Sequence, residues 1–328
     1  MVHGDSVAKL LNKIVENDQL RGPHIFSMVA GDKWVSSVDS RKPYAVSNEL
    51  TYEVKKIEDT VVDNPSFPEK DRVFDIVKRF RDSPREYERR GLTHNLAIML
   101  HGFPGCGKTR CFTDLSVVHD LVVIVVATHL VLTPESLRTL FFSDYVGGYS
   151  VPHHRRLYVI EDVDCGAWGK VILDRCHYGS DRSSNDVFSL ETYLQVMDGI
   201  VRRKGHIVFY TTNCDPEDSM DPAFLRPGRI DAIIRVNKMT ARDIAAMYKR
   251  WFDQDLPDDI EKLLRDYKYS VADMTAVFRC FDSLHVQAEL RTMFPDDGKI
   301  IVPNVSTSHL RRRRHFFRNF FKFLRLKV

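Results

Sequence analysis

The feature that most restricts how this chain can fold is a short apolar run, Ala97-Ile98-Met99-Leu100, feeding into His101-Gly102-Phe103-Pro104-Gly105-Cys106-Gly107-Lys108-Thr109. The string satisfies G-x-x-x-x-G-K-[ST] in the strand, loop and helix setting that gives the pattern meaning. Glycines allow the backbone of such a loop to wrap closely round a phosphate with its N–H groups turned inward. A lysine neutralises β- and γ-oxygens, and a hydroxyl reaches a magnesium ion. Gly102, Pro104, Gly105, Cys106, Gly107, Lys108 and Thr109 are therefore the candidate nucleotide-binding residues, with ATP and Mg²⁺ as the expected ligands.

Other strands are needed to bury the one that carries the loop, and the sequence supplies them. Apolar runs of strand length recur at 97–101, 121–127, 157–161, 206–211 and 232–236, with helix or loop between them. That alternation predicts an α/β fold, a P-loop core in which helices sandwich a parallel sheet. After Val236 only helical spacing remains: Ile244, Met247, Tyr248 and Trp251, then Ile260, Leu263 and Leu264, then Met274, Val277, Phe278 and Phe281. A small helical lid is expected there.

Upstream, Pro68-Glu69-Lys70-Asp71 opens a helix whose buried stripe is Val73, Phe74, Ile76, Val77 and Phe80. Residues 6–17 read as a short amphipathic helix, and the strand-like stretches Ile25–Ala30 and Trp34–Val38 read as a β-hairpin around Gly31-Asp32. The expected organisation is an N-terminal helix and hairpin segment at 1–62, the α/β nucleotide-binding domain at 63–237, the lid at 238–302 and a basic aromatic tail at 303–328. A chain of 328 residues has room for one large core and a satellite, but no second enzyme domain.

Composition excludes some classes. An apolar fraction of 43% and a charged fraction of 28% are those of a globular protein, and a net charge of +3 is too small to argue for nucleic acid. The six cysteines, at 106, 111, 165, 176, 214 and 280, form no CxxC pair and suit free thiols in a reducing compartment. Cys165, Cys176 and His177 lack the second tight pair that a structural metal site needs. No uncharged stretch reaches the length of a membrane span, and the N-terminus has no signal-peptide pattern. An intracellular protein, cytoplasmic or peripheral on a membrane, is expected.

The catalytic candidates follow the loop. Leu157-Tyr158-Val159-Ile160 ends in Glu161-Asp162-Val163-Asp164, acids at the tip of a strand where one carboxylate holds the metal shell and its neighbour orients the attacking water. We assign Glu161, with Thr109, to the metal shell and Asp162 to the water; either carboxylate can serve as metal ligand. The strand 206–210 ends in Thr211-Thr212-Asn213, whose amide is placed to sense the γ-phosphate.

Asp221-Pro-Ala-Phe-Leu-Arg226-Pro-Gly-Arg229-Ile-Asp231 is similar to the second region of homology of the AAA ATPases, and the resemblance covers roughly 65–285. It implies a homo-oligomeric ring, hexameric or heptameric, in which Arg226 and Arg229 reach a neighbour's nucleotide. Within that family, Glu161–Asp164, Leu190-Glu-Thr-Tyr-Leu194 through Met197-Asp198-Gly199-Ile200, and Arg81 to Gly91 look like the mitochondrial inner-membrane chaperone ATPase that assembles the cytochrome bc complex. That family moves a folded iron–sulfur subunit across a membrane without an aromatic threading loop. Here Thr128–Leu137 lacks an aromatic-apolar-Gly tripeptide, although Tyr145-Val146-Gly147 occurs later. The family's N-terminal membrane span has no counterpart in this sequence, so the resemblance leaves mitochondrial location and client open.

The tail from His309 to Val328 puts Phe317, Phe320, Phe321, Leu324 and Val328 on one helical face and Arg318, Lys322 and Arg325 opposite. That pattern favours an anionic membrane surface as a partner, over packing on the protein's own core or nucleic acid. The leading expectation is an ATP-hydrolysing chaperone or translocase acting on a protein client. The alternatives are an ATP-driven nucleic-acid remodeller of helicase or loader type, and a nucleotide-gated scaffold without turnover, since 267–273 holds no Gly-Ala-Arg motif.

Overall fold

The computed structural model describes residues 22–29, 50–57, 67–131, 133–165, 168–169, 171–172, 189–198, 204–279 and 282–294. The helix expected at 6–17, the strand expected at 34–38, Cys176, His177 and the basic tail lie outside the described residues.

A seven-stranded sheet with the order β2-β1-β4-β7-β8-β3-β9 forms the centre of the fold. Its strands are β1 (His24–Val29), β2 (Thr51–Lys56), β3 (Leu96–Gly102), β4 (Val122–Val125), β7 (Arg156–Ile160), β8 (Ile207–Thr212) and β9 (Ala232–Val236). Every neighbouring pair is parallel except β1 with β2. The five strands anticipated in the main domain are all present. Period-two alternation explains why they read as near-continuous apolar runs. Met99, Tyr158, Ile160, Val208 and Tyr210 enter one core, while Ile98, Leu100, Leu157, Val159 and Phe209 enter the other.

Helices close both faces. The second core receives Val73, Val77 and Phe80 of α1 (Lys70–Asp82) and Phe112 and Leu115 of α3 (Lys108–His119); α2 (Pro84–Arg89) lies between them in sequence. The first receives Leu137, Leu140 and Phe141 of α4 (Pro134–Phe142) and Tyr193 and Val196 of α5 (Leu190–Asp198). Lys70 crosses from α1 to the fully buried Asp114 of α3 at 2.7 Å, and Arg110 meets the same carboxylate at 3.0 Å. Asp114 is thus buried with two cationic partners, of which Lys70 ties the loop's helix to α1.

The N-terminal strands depart from expectation. The antiparallel partner of β1 is β2, and its other edge is taken by β4. With both edges occupied, β1 extends the main sheet rather than standing apart from it. A two-stranded hairpin, β5 (Tyr145–Val146) and β6 (Tyr149–Ser150), follows α4 and packs on this extension, with Tyr149 edge-on to Phe26. It contains the tripeptide Tyr145-Val146-Gly147, which therefore lies outside the connection between β4 and α4. The fully buried Arg156 holds the hairpin's base through the carbonyls of Ser143, Asp144 and Val151. Four hydrogen bonds to backbone oxygens and one to the Tyr158 hydroxyl replace the carboxylate usually expected beside a buried guanidinium.

Beyond β9 the described residues form helices and their connections, as expected. Two very short helices, α6 (Pro216–Ser219) and α7 (Pro222–Leu225), precede β9. After it come α8 (Ala241–Phe252), α9 (Asp258–Glu261), α10 (Val271–Phe278) and α11 (Ser283–Met293). They share a separate core of Ile244, Met247, Tyr248, Ile260, Met274 and Phe278. Among the described residues no helix is long and apolar enough to cross a membrane.

Candidate functional site

Strand order sets the site. β4, β7 and β8 lie on one side of β3 and β9 lies on the other, so chain direction diverges at the end of β3. In open α/β sheets the crevice beyond the carboxyl ends of strands at such a point is where ligands bind. The loop 102–107 occupies it.

Gly102 has φ 138, and a Cβ there would stand 2.2 Å from the Val236 carbonyl oxygen of β9. Gly105, at φ 77, would put a Cβ 2.9 Å from Ala272 Cβ of the lid. Both contacts forbid a side chain, and both couple the loop to other elements. The Ala272 N–H donates to the Gly105 carbonyl at 2.9 Å, so the N-terminal end of α10 rests on the loop. Ser270 and Asp273 form the capping box of that helix. No arginine occupies 267–273.

Lys108 donates to the carbonyls of Gly102 at 2.8 Å and Phe103 at 3.2 Å, and to Asn213 Oδ1 at 2.9 Å. Burial lowers its pKa, against the opposing fields of Cys106, Asp162, Asp164 and Glu161. The Thr109 hydroxyl donates to Glu161 Oε1 at 2.5 Å. Glu161 and Asp162 follow directly on β7, and Asp162 adopts φ 46. Asn213, just past β8, donates through Nδ2 to Asp162 Oδ1 at 3.3 Å. Thus the structure joins Lys108 to Asn213, Asn213 to Asp162, and Thr109 to Glu161, five side chains drawn from three chain segments.

The arrangement fits the expected ligands. A hydroxyl and two carboxylates are hard oxygen donors suited to Mg²⁺. The loop's positive-φ glycines leave its backbone open to a phosphate, and the Lys108 ammonium lies against the same loop, on the Gly102 and Phe103 carbonyls. Cys106 is buried inside the loop and burial raises its thiol pKa, which makes it a packing residue rather than a nucleophile. Cys106, Cys111, Cys165 and Cys214 are free thiols.

The arginine segment stands differently. Arg226 follows α7 and is exposed. Arg229 is half-buried and donates to the Ala223 carbonyl of its own chain. The segment is fastened to the start of β3 by Asp231, whose N–H donates to the Ala97 carbonyl at 2.8 Å and whose carboxylate accepts the Ala97 N–H at 2.8 Å. Asp231 was not among the residues singled out from sequence; only the β3–β9 pairing reveals its partner. The same is true of Thr211 Oγ1, which accepts the Asp162 N–H at 3.0 Å.

Strand order, loop and acid pair together define the class, a P-loop α/β protein of the AAA-ATPase type. The chain is similar to the human Mitochondrial chaperone BCS1, with 28% identity over 188 residues, 57% of this chain and 42% of the relative. A Dictyostelium discoideum probable mitochondrial chaperone BCS1-B is 24% identical over 65% of this chain and 49% of its own length. An Arabidopsis thaliana AAA-ATPase is 23% identical over 81% of this chain and 52% of its own. The chain therefore spans about half the length of the curated relatives it matches, or less. No family model matches it.

Proposed function

We propose that this chain binds ATP with Mg²⁺ and hydrolyses it as a ring-shaped homo-oligomer, hexameric or heptameric, that remodels or moves a protein client. The observation that carries the reading is the linked set Lys108–Asn213–Asp162 beside Thr109–Glu161 at the diverging end of the sheet. Loop amides and Lys108 bind the phosphates. Thr109 and Glu161 would hold the metal, which would supply Lewis-acid stabilisation of phosphoryl charge. Asp162, held by Asn213, orients and deprotonates water, and Asn213 reports the γ-phosphate to Lys108 and Asp162 together. Arg226 and Arg229 complete the site of a neighbouring subunit.

The relatives named as chaperones support a protein client, and their mitochondrial names support a similar placement for this chain. The basic aromatic tail fits peripheral attachment to an anionic membrane surface. Among the described residues no observation favours nucleic acid. Phosphate release by Asp162→Asn and Glu161→Gln tests the assignment. Asp162→Asn is expected to lose turnover on the order of 10²-fold or more with nucleotide binding retained, and Glu161→Gln to raise the Mg²⁺ concentration required. Normal turnover by Asp162→Asn would remove it from the water-activating role.

A further inference from the structure

Asp162 is a non-glycine residue in the left-handed region, at φ 46. Aspartate tolerates that region better than most residues, and although Asp162 itself is exposed, its N–H points to an acceptor inside the fold. The acceptor is the Thr211 hydroxyl at 3.0 Å. Thr211 lies within β8 and is only 3% exposed. Its β-branched side chain has little rotamer freedom, so the hydroxyl is fixed by packing. The Thr211 carbonyl also accepts the Val163 N–H at 2.9 Å, so one residue grips both amides of the turn. Two residues later, Asn213 takes the Asp162 carboxylate at 3.3 Å. Backbone and side chain of Asp162 are thus held by the same short stretch of chain.

We infer that Thr211 is a positioning residue for the hydrolytic reaction: its hydroxyl holds the Asp162 backbone in the left-handed turn that turns the carboxylate toward Asn213 and the phosphate loop. This rests on the reading of Asp162 given above and deepens it. Thr211 is itself buried within β8. It couples the strand that carries the γ-phosphate sensor to the residue that activates water, so a shift in β8 is transmitted to Asp162 through a hydrogen bond as well as through Asn213.

Thr211→Val keeps the shape and removes the acceptor; Thr211→Ser keeps the acceptor and removes the methyl. In the full-length chain, Thr211→Val is expected to lower kcat on the order of 10–100-fold, as small misplacements of a reacting group do, with KM within about twofold. Affinity for a fluorescent ATP analogue should stay unchanged, and Thr211→Ser should recover most of kcat. In an Asp162→Asn background, Thr211→Val should cost little more. Amide hydrogen exchange over 161–163 supplies a readout without turnover: it should accelerate in Thr211→Val and remain slow in Thr211→Ser. Wild-type kcat and exchange in Thr211→Val would overturn the inference, and so would equal losses in the two variants, which would mark a packing role. If the unaltered chain releases no phosphate from ATP, the hydrolytic reading fails on its own, and the exchange measurement still decides whether Thr211 holds Asp162.

Discussion

The loop end of the sheet and the arginine segment are built on opposite principles. At the loop, Lys108, Asn213, Asp162, Thr109 and Glu161 are joined by direct hydrogen bonds within one chain. In the arginine segment Arg226 is exposed, Arg229 is bound to the Ala223 carbonyl, and Asp231 clamps the segment's end to β3. A network that closes on itself can bind a ligand alone. An exposed cation on a rigid mount suits the proposed role of an arginine supplied in trans.

The sharpest break of that contrast is at the arginines. Arg226→Ala is expected to cut phosphate release by roughly 10³-fold while nucleotide binding persists. Mixing Arg226→Ala with Lys108→Ala subunits should restore part of the activity, because some interfaces then combine an intact loop with an intact arginine. No recovery on mixing would place the arginine's action within its own chain. Next in size, Lys108→Ala alone should weaken binding of a fluorescent ATP analogue about 100-fold or more, since desolvated charge-assisted contacts to phosphate are lost. Affinity unchanged by that substitution would move the nucleotide elsewhere.

A third test acts on stability at the loop end. Gly102→Ala forces a Cβ against the Val236 carbonyl in a backbone conformation that L-residues avoid, and should destabilise the protein by about 2–4 kcal/mol in urea unfolding. Gly228→Ala is the matched control in the arginine segment: φ is 90 there, but nothing lies within 4 Å of the added carbon. It should cost about 1 kcal/mol, the backbone share alone. Equal losses would show that the β9 contact does not distinguish the two regions.

The smallest effect concerns pH. His101 at the loop, and His119 and His154 at the other end of the strands, all have pKa values lowered, with burial the largest cause. The folded state therefore prefers the neutral rings. The stability this confers is complete above the unfolded value near 6.5 and is lost as pH falls through the lowered folded values. Urea midpoints should decline from pH 7 to 5, and His154→Gln should flatten the decline without touching nucleotide affinity. A midpoint independent of pH over that range would refute the burial argument.

Much of the candidate site could be read in one dimension because its chemistry is local. The loop's glycines, lysine and threonine lie within one turn of chain, and each strand-end polar group follows its own apolar run. Parallel strands buried on both faces are continuous hydrophobic stretches, so β3, β4, β7, β8 and β9 were all legible. The strand expected at 34–38 lies outside the described residues, but the antiparallel partner of β1 was not legible, for the opposite reason. A Gly-Asp turn between two short apolar stretches specifies local pairing, and a more distant strand, β2, took the β1 edge instead.

By itself the sequence determined the phosphate-loop pattern, the positions of the acids, the Asn213 amide and the two arginines, and the change from strand to helix periodicity after β9, since covalent neighbours and periodicity encode each of these. Tertiary structure alone decided which residues meet across strands. The Thr109–Glu161 bond and the clamps of Thr211 on Asp162 and Asp231 on Ala97 all depend on strand order and register. The rest of the Ala272 N–H on Gly105 depends instead on how the lid docks. Both are settled by the collective burial of two apolar faces and the lid core, a sum over many residues far apart in the chain that no local pattern carries.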